Sequence, residues 1–248
     1  MSLRFYLAMT EAEIRSATSL PRHLAYMACH FSPYGMGLTN IPKQLPPGSI
    51  LIVNDRVPVF HHNSELILRQ LTAAVQKLNV FGVLLDFQIC DVPLTAQIVK
   101  TLADSLPCPV AVSPAYGEAL SCPIFSAPAL HQRFCDFPPI KKGRSLWLDT
   151  YQETALYKVT PNGCTTGKSA RISGNSFLDE TLQCRYAFSV EKDGAVFTLS
   201  RQASEMTGYL QVAQQAGVSV AVGLYQQFSH MDVFTNVPPS PGGTALRG

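Results

Sequence analysis

Short apolar runs, most of four to eight residues and bounded by glycine, proline or other turn-formers, recur along this chain and limit what it can fold into. They fall at 25–30, 49–53, 82–87, 109–113, 123–126 and 145–149, within 182–199, and at 218–223. Runs of this length, rich in β-branched residues, suit strands buried on both faces of a parallel sheet. Between them lie segments with helical spacing. The clearest is 64–78, with Leu66, Leu68, Leu71, Val75 and Leu78 available for a buried stripe and Ser64 placed to cap it. A second, 93–106, opens at Pro93 after Asp91 and Val92, and a third, 204–215, stops at Gly217. Eight strands alternating with helices predict an irregular (β/α)8 TIM-type barrel of the α/β class, with a doubly wound open sheet as the other candidate.

The alternation weakens in the middle and C-terminal half. The connections at 116–120 and 129–134 hold barely two helical turns each. After the sixth predicted strand, 153–166 alternates around Pro161-Asn162-Gly163 and reads as a β-hairpin. Asp193-Gly194 signals a second hairpin between 185–190 and 195–199, so a small antiparallel insertion is expected at about 150–195. The expected organisation is a single barrel domain over 1–235, with 236–248 as a Pro/Gly-rich tail too poor in apolar residues to order itself. With 248 residues, 46% of them apolar, folding should bury roughly 70–75% of the unfolded surface.

Composition removes several function classes. Lys and Arg number 19 against 17 Asp and Glu, without a basic stretch, so nucleic acid is not an expected partner. No apolar run approaches the ~20 residues of a membrane-spanning helix, so no membrane association is expected, and the expected location is cytoplasmic. The seven cysteines (Cys29, Cys90, Cys108, Cys122, Cys135, Cys164, Cys184) form no C-x-x-C pair, which predicts reduced, mostly buried thiols rather than zinc knuckles or a disulfide framework. His61-His62, with His30 and Asp55, lack metal-ligand spacing, so no metal is expected. Thr166-Gly167-Lys168-Ser169 lacks the earlier glycine of a phosphate loop, and no G-x-S-x-G elbow is present, so no cofactor is expected. Oligomeric state is not written in the sequence.

A parallel barrel concentrates its chemistry at the C-terminal ends of its strands. There the sequence places His30, Asn54, Asp55, Arg56, Asp86, Gln88, Ser113, Ser126, Asp149, Glu191, Tyr225 and Gln226. Asp55, Asp86 and Asp149 are the candidate catalytic residues, because partial desolvation at a barrel mouth adapts a carboxyl group to acid or base work. Alone, each could equally cap the segment that follows. Gln88, His30, Arg56, Tyr116, Tyr225 and Gln226 are the candidate substrate-binding residues. Tyr26, Tyr34 and Trp147 are further aromatic candidates for stacking on sugar rings, although most aromatics serve the core. On the third predicted strand, alternation turns Leu84, Asp86 and Gln88 toward the axis and Val83, Leu85 and Phe87 toward the helices. Trp147 shares the parity of Asp149. On the last strand, the small residues Ser219, Ala221 and Gly223 are expected to face inward.

The stretch Phe81-Gly82-Val83-Leu84-Leu85-Asp86-Phe87-Gln88 resembles the D-G-x-D-x-D-x-E strand of the chitinase-like family-eighteen glycoside hydrolases. Gly82, Asp86 and the aromatic Phe87 match, whereas Phe81 and Leu84 stand where the first two acids would be. In that family the final Glu protonates the glycosidic oxygen while its neighbouring Asp orients the substrate's acetamido group. Gln88 has the shape of that Glu without a proton of suitable acidity. The resemblance therefore implies a carbohydrate-binding barrel that has lost the usual catalytic acid, with a saccharide or other small polar ligand as partner. The alternatives are an active glycoside hydrolase drawing on Asp55, Asp86, Asp149 and Glu191, and a structural barrel without activity.

Overall fold

The structure is a computed structural model and describes residues 2–32, 37–55, 63–87, 93–117, 120–168, 172 and 174–229. The chain begins with β1 (Arg4–Met9), α1 (Glu11–Ser16), β2 (Leu24–Phe31), β3 (Leu38–Thr39), β4 (Ile50–Asn54) and α2 (Ser64–Leu78). It continues through β5 (Gly82–Asp86), α3 (Pro93–Ser105), β6 (Val110–Val112), α4 (Pro114–Gly117) and β7 (Ile124–Ser126). A 3-10 turn (Phe134–Asp136), α5 (Pro138–Lys141) and β8 (Leu146–Thr150) follow. Five antiparallel strands come next: β9 (Glu153–Thr160), β10 (Gly163–Lys168), β11 (Phe177–Asp179), β12 (Cys184–Glu191) and β13 (Gly194–Arg201). The chain returns through α6 (Ala203–Gln215), β14 (Val220–Leu224) and α7 (Tyr225–Phe228).

Eight parallel strands run in the order β1-β14-β8-β7-β6-β5-β4-β2, and β1 also pairs with β2, which closes the barrel. β3 pairs antiparallel with β2 at the rim. The expected (β/α)8 fold with an antiparallel insertion is the observed one. Two strand assignments are corrected. The first stave is Arg4–Met9, absent from the eight predicted strands, and the predicted strand within 182–199 belongs to the antiparallel sheet. The strand carrying Asp86 is thus the fourth stave, not the third. β1 is apolar and largely buried, and the acids after it form a helix start. Thr10 Oγ1 accepts from the Glu13 backbone N–H at 3.3 Å, and the Glu13 carboxylate accepts from the Thr10 N–H at 2.7 Å.

The helices follow their spacing with small adjustments. Asn63, not Ser64, caps α2 by accepting from the Leu66 N–H at 3.0 Å. Its buried stripe keeps the predicted Leu71, Val75 and Leu78 and adds Ile67 and Ala74 in place of Leu66 and Leu68. Gly217, at φ 91°, supplies the left-handed stop after α6. Among the six described cysteines, Cys29 and Cys184 are buried, Cys108 and Cys122 half-buried, and Cys135 and Cys164 exposed, so fewer are buried than expected. All six are free thiols. Among the described residues no helix is long and apolar enough to cross a membrane.

Alternation divides the core in two. Val83, Leu85, Val110, Val112, Leu146 and Leu148 pack outward against helix residues such as Leu71, Ile98, Leu102 and Leu210. Tyr6, Ala8, Ala25, Ile50, Ile52, Leu84, Ala111, Trp147, Val220 and Val222 fill the lumen. The inward residues of β14 are therefore Val220 and Val222, not Ala221 and Gly223, because its register sets Val220 beside Trp147 and Val222 beside Asp149. A Cβ on Gly223 would meet the rings of Phe228 at 2.6 Å and Phe5 at 2.8 Å on the helix side. Inside, Tyr6 stacks on Phe81 and Phe81 on Trp147, each at 5.9 Å, so aromatic rings plug the axis.

Gly82 exists to admit that plug: a Cβ there would lie 2.8 Å from the Trp147 ring and 2.7 Å from the Pro109 carbonyl oxygen. We expect Gly82→Ala to destabilise the fold by about 1–3 kcal/mol, the usual cost of overpacking, read as a lower urea midpoint with an unchanged slope.

Candidate functional site

Above the aromatic plug the lumen turns polar. Asp86 closes β5 in register with Asn54 of β4, whose side-chain amide donates to the Met27 carbonyl at 3.4 Å. Asp149 lies on β8 in register with Val222. Asp86 continues the inward parity of Leu84, and Asp149 that of Trp147, so both carboxyl groups rise from the packed floor toward the C-terminal end of the barrel. Each residue is partly buried. Burial pushes the Asp149 carboxyl up to about 7, and the negative charge of Asp86 adds to the rise. The two acids of β5 and β8, separated by β6 and β7, thus share one electrostatic space. Around them backbone carbonyls are tied off by hydroxyls: Ser113 donates to the Phe87 carbonyl at 2.6 Å and Thr150 to that of Val222 at 2.7 Å.

The remaining candidates scatter. Asp55 is buried directly after β4. His30, at the end of β2, is held at the rim by its neighbours, with Nδ1 2.9 Å from Thr39 Oγ1 and Nε2 3.3 Å from the Asn40 amide. Tyr225 starts α7 and is half-buried. Gln226, exposed, reaches Glu13: burial pulls that carboxyl upward, but hydrogen bonds from Thr10 and Gln226 outweigh it and the pKa is lowered. Tyr116 sits in α4, edge-on to Phe87 at 6.2 Å, against the core between barrel and helices. Tyr26 is buried in that same layer and donates to the Asn40 carbonyl at 3.0 Å, while Trp147 is 2% exposed, so neither offers a ring to a ligand. Glu191 is no barrel residue: it ends β12, exposed, and pairs with Lys158 at 2.9 Å. Gln88, Arg56, Tyr34, His61 and His62 lie outside the described residues.

A second group went unread in the sequence. Tyr151 and Glu153 continue the i, i+2 series of Trp147 and Asp149 beyond the end of β8. Burial raises the pKa of Tyr151, and the charges of Glu153 and Asp149 reinforce it. Burial also raises Glu153, opposed by Arg201 and His131. Arg201 faces Glu153 across the β9–β13 ladder, lies buried 3.6 Å over the Tyr209 ring, and donates to the carbonyls of Leu182 and Gln183. The alternation could have flagged Tyr151 and Glu153; nothing local points to Arg201. Among the described residues no group of three His, Cys, Asp or Glu side chains could hold a metal ion.

The Asp149 shift has a testable sign. Between about pH 4 and 7 the native state keeps a proton that the unfolded chain has already released, so stability falls as pH rises through that window. We expect Asp149→Asn to match the parent below pH 4 and to exceed it by roughly 1–3 kcal/mol above pH 7, allowing for solvent at the mouth, in urea titrations at both pH values. Asp86→Asn should narrow the window from its upper end.

No family model matches the chain, and no curated protein matches it. Solved structures do. A chitinase from Chromobacterium violaceum superposes with a TM-score of 0.51 at 11% identity, over 94% of this chain and 96% of that one. The family-eighteen chitinase of Cycas revoluta, in complex with allosamidin, reaches a TM-score of 0.53 at 11% identity, over 91% and 96%. The same enzyme with (GlcNAc)3 gives 0.52, again at 11% identity and over 91% and 96%. At such identities the likeness is one of fold: this chain has the barrel architecture found in family-eighteen chitinases.

Proposed function

We propose that the C-terminal end of this barrel binds a saccharide, with the coupled carboxyl groups of Asp86 and Asp149 as its polar floor. The pair is the observation that carries the reading. A carboxylate accepts hydrogen bonds from sugar hydroxyls, and a neighbouring carboxyl that is half protonated near pH 7 can also donate. Apolar walls with a few convergent polar groups are the usual make-up of a small-ligand site. In the sequence, Gln88 stands two residues beyond Asp86, where the resembling hydrolases carry their acid. Among the structural neighbours, a Cycas revoluta chitinase variant with one Gly→Trp and one Glu→Gln replacement was solved in complex with (GlcNAc)4, which supports saccharide retention on such a barrel.

One observation favours a second reading, hydrolysis by a non-standard pair. Asp149, pushed up to about 7, has the acidity of a general acid, and Asp86 remains the charged partner.

A glycan array followed by calorimetry, with a glycosidase panel alongside, separates the readings. Sugar binding without turnover is expected, with Asp86→Asn weakening affinity by roughly 10- to 100-fold, the worth of a charged hydrogen bond. Gln88→Glu should bring measurable cleavage of the bound glycan. Wild-type turnover that disappears in Asp149→Asn and declines above pH 7 would establish the hydrolase instead. Absence of any retained glycan defeats both.

A further inference from the structure

The antiparallel sheet has one face that the barrel does not cover. Its strands run β10-β9-β13-β12-β11, and the register sorts side chains into rows. At the barrel end Cys184 and Leu199 are buried against Leu130. Farther out, on the same face, come Phe177 beside Tyr186, then Tyr157, Phe197 and Phe188, and finally Val159, Ala195 and Val190. Four of these side chains are exposed, Phe177 by 53%, Phe188 by 55%, Val159 by 41% and Val190 by 80%. The rings are already aligned, Phe188 on Phe197 at 6.0 Å and Phe177 on Tyr186 at 5.6 Å. The opposite face carries Thr154, Lys158, Thr198, Arg185, Ser189 and Glu191, with the Lys158–Glu191 ion pair across it. The opposite face also holds Leu156, Ala187, Val196 and the exposed Leu178, but among the described residues the first face has cover only at its base, with four large apolar side chains exposed beyond it.

We propose that this apolar face is where two copies of the chain associate, sheet against sheet, about a two-fold axis. Three features favour a second copy over other occupants. In the two outermost rows, Tyr157-Phe197-Phe188 and Val159-Ala195-Val190, no side chain is charged, Lys168 falling one row nearer the barrel beside Ala155, so this part of the patch meets its own image without like charges opposed, as an isologous contact requires. Counting roughly 200 Å² for a phenylalanine, the exposed parts of the outer residues sum to roughly 500 Å², or about 1,000 Å² over two copies, the lower end of what a specific interface buries. Cys164 and Thr166, exposed on the same face of β10, extend the rim. A saccharide is a poor match, because it needs hydrogen bonds at its edges and the Tyr157 hydroxyl is already engaged by His131 at 3.1 Å.

Sedimentation velocity on the full chain over a concentration series tests the interface. A species of twice 27.0 kDa is expected. Phe188→Lys combined with Val190→Lys should halve that mass and leave the circular dichroism at 25 °C unchanged, since both side chains are more than half exposed in the single chain, while the melting temperature loses its dependence on protein concentration. Ser189→Lys, on the opposite face, should leave the larger species intact. A wild-type chain of single mass overturns the proposal, as does a dimer indifferent to the double variant or one dissolved equally by Ser189→Lys.

Discussion

Everything else in this molecule depends on the double pairing of β1, with β14 on one side and β2 on the other. A parallel sheet left open at that seam would expose two rows of unpaired backbone groups. Closed, the barrel has no free edge among its eight staves, and each strand becomes a wall with one side toward the helices and one toward the axis. The axis can then be filled by rings such as Tyr6, Phe81 and Trp147, and the carboxyl groups above them acquire an apolar floor. The shifted acidity of Asp149 is a consequence of closure, since its first cause is burial.

The period of the sequence made the barrel legible, because strands buried on both sides leave continuous apolar runs. The same property hid the details. Around Val220 both faces are apolar, so alternation could not say which residues turn inward; the register against Trp147 and Asp149 decides it. β12 reads as another stave because Tyr186, Phe188 and Val190 are apolar, although two of them stand in solvent. β1 stands outside the predicted strands; acids follow it at once, and one of them, Glu13, completes the capping box of α1.

The candidate site divides along similar lines. Asp86 and Asp149 were readable because a carboxylate that ends an apolar strand is conspicuous. Their coupling was not, since it spans three strand-to-strand steps around the wall and depends on the shape of the lumen. Arg201 reaches the vicinity only through the return of β13, about fifty residues after Asp149. Residues joined by folding rather than by period leave no trace in a single sequence. Glu191 shows the converse, a plausible strand-end acid that a hairpin carries away from the barrel.

The excursion between β8 and α6 leaves and re-enters the barrel through adjacent strands, with Thr154 beside Ser200 and Glu153 beside Arg201. Departure and arrival are fixed one ladder step apart whatever lies beyond. Whole hairpins could therefore be gained or lost at the far end without shifting any stave, so the outer sheet can diverge freely while the scaffold beneath it stays the same.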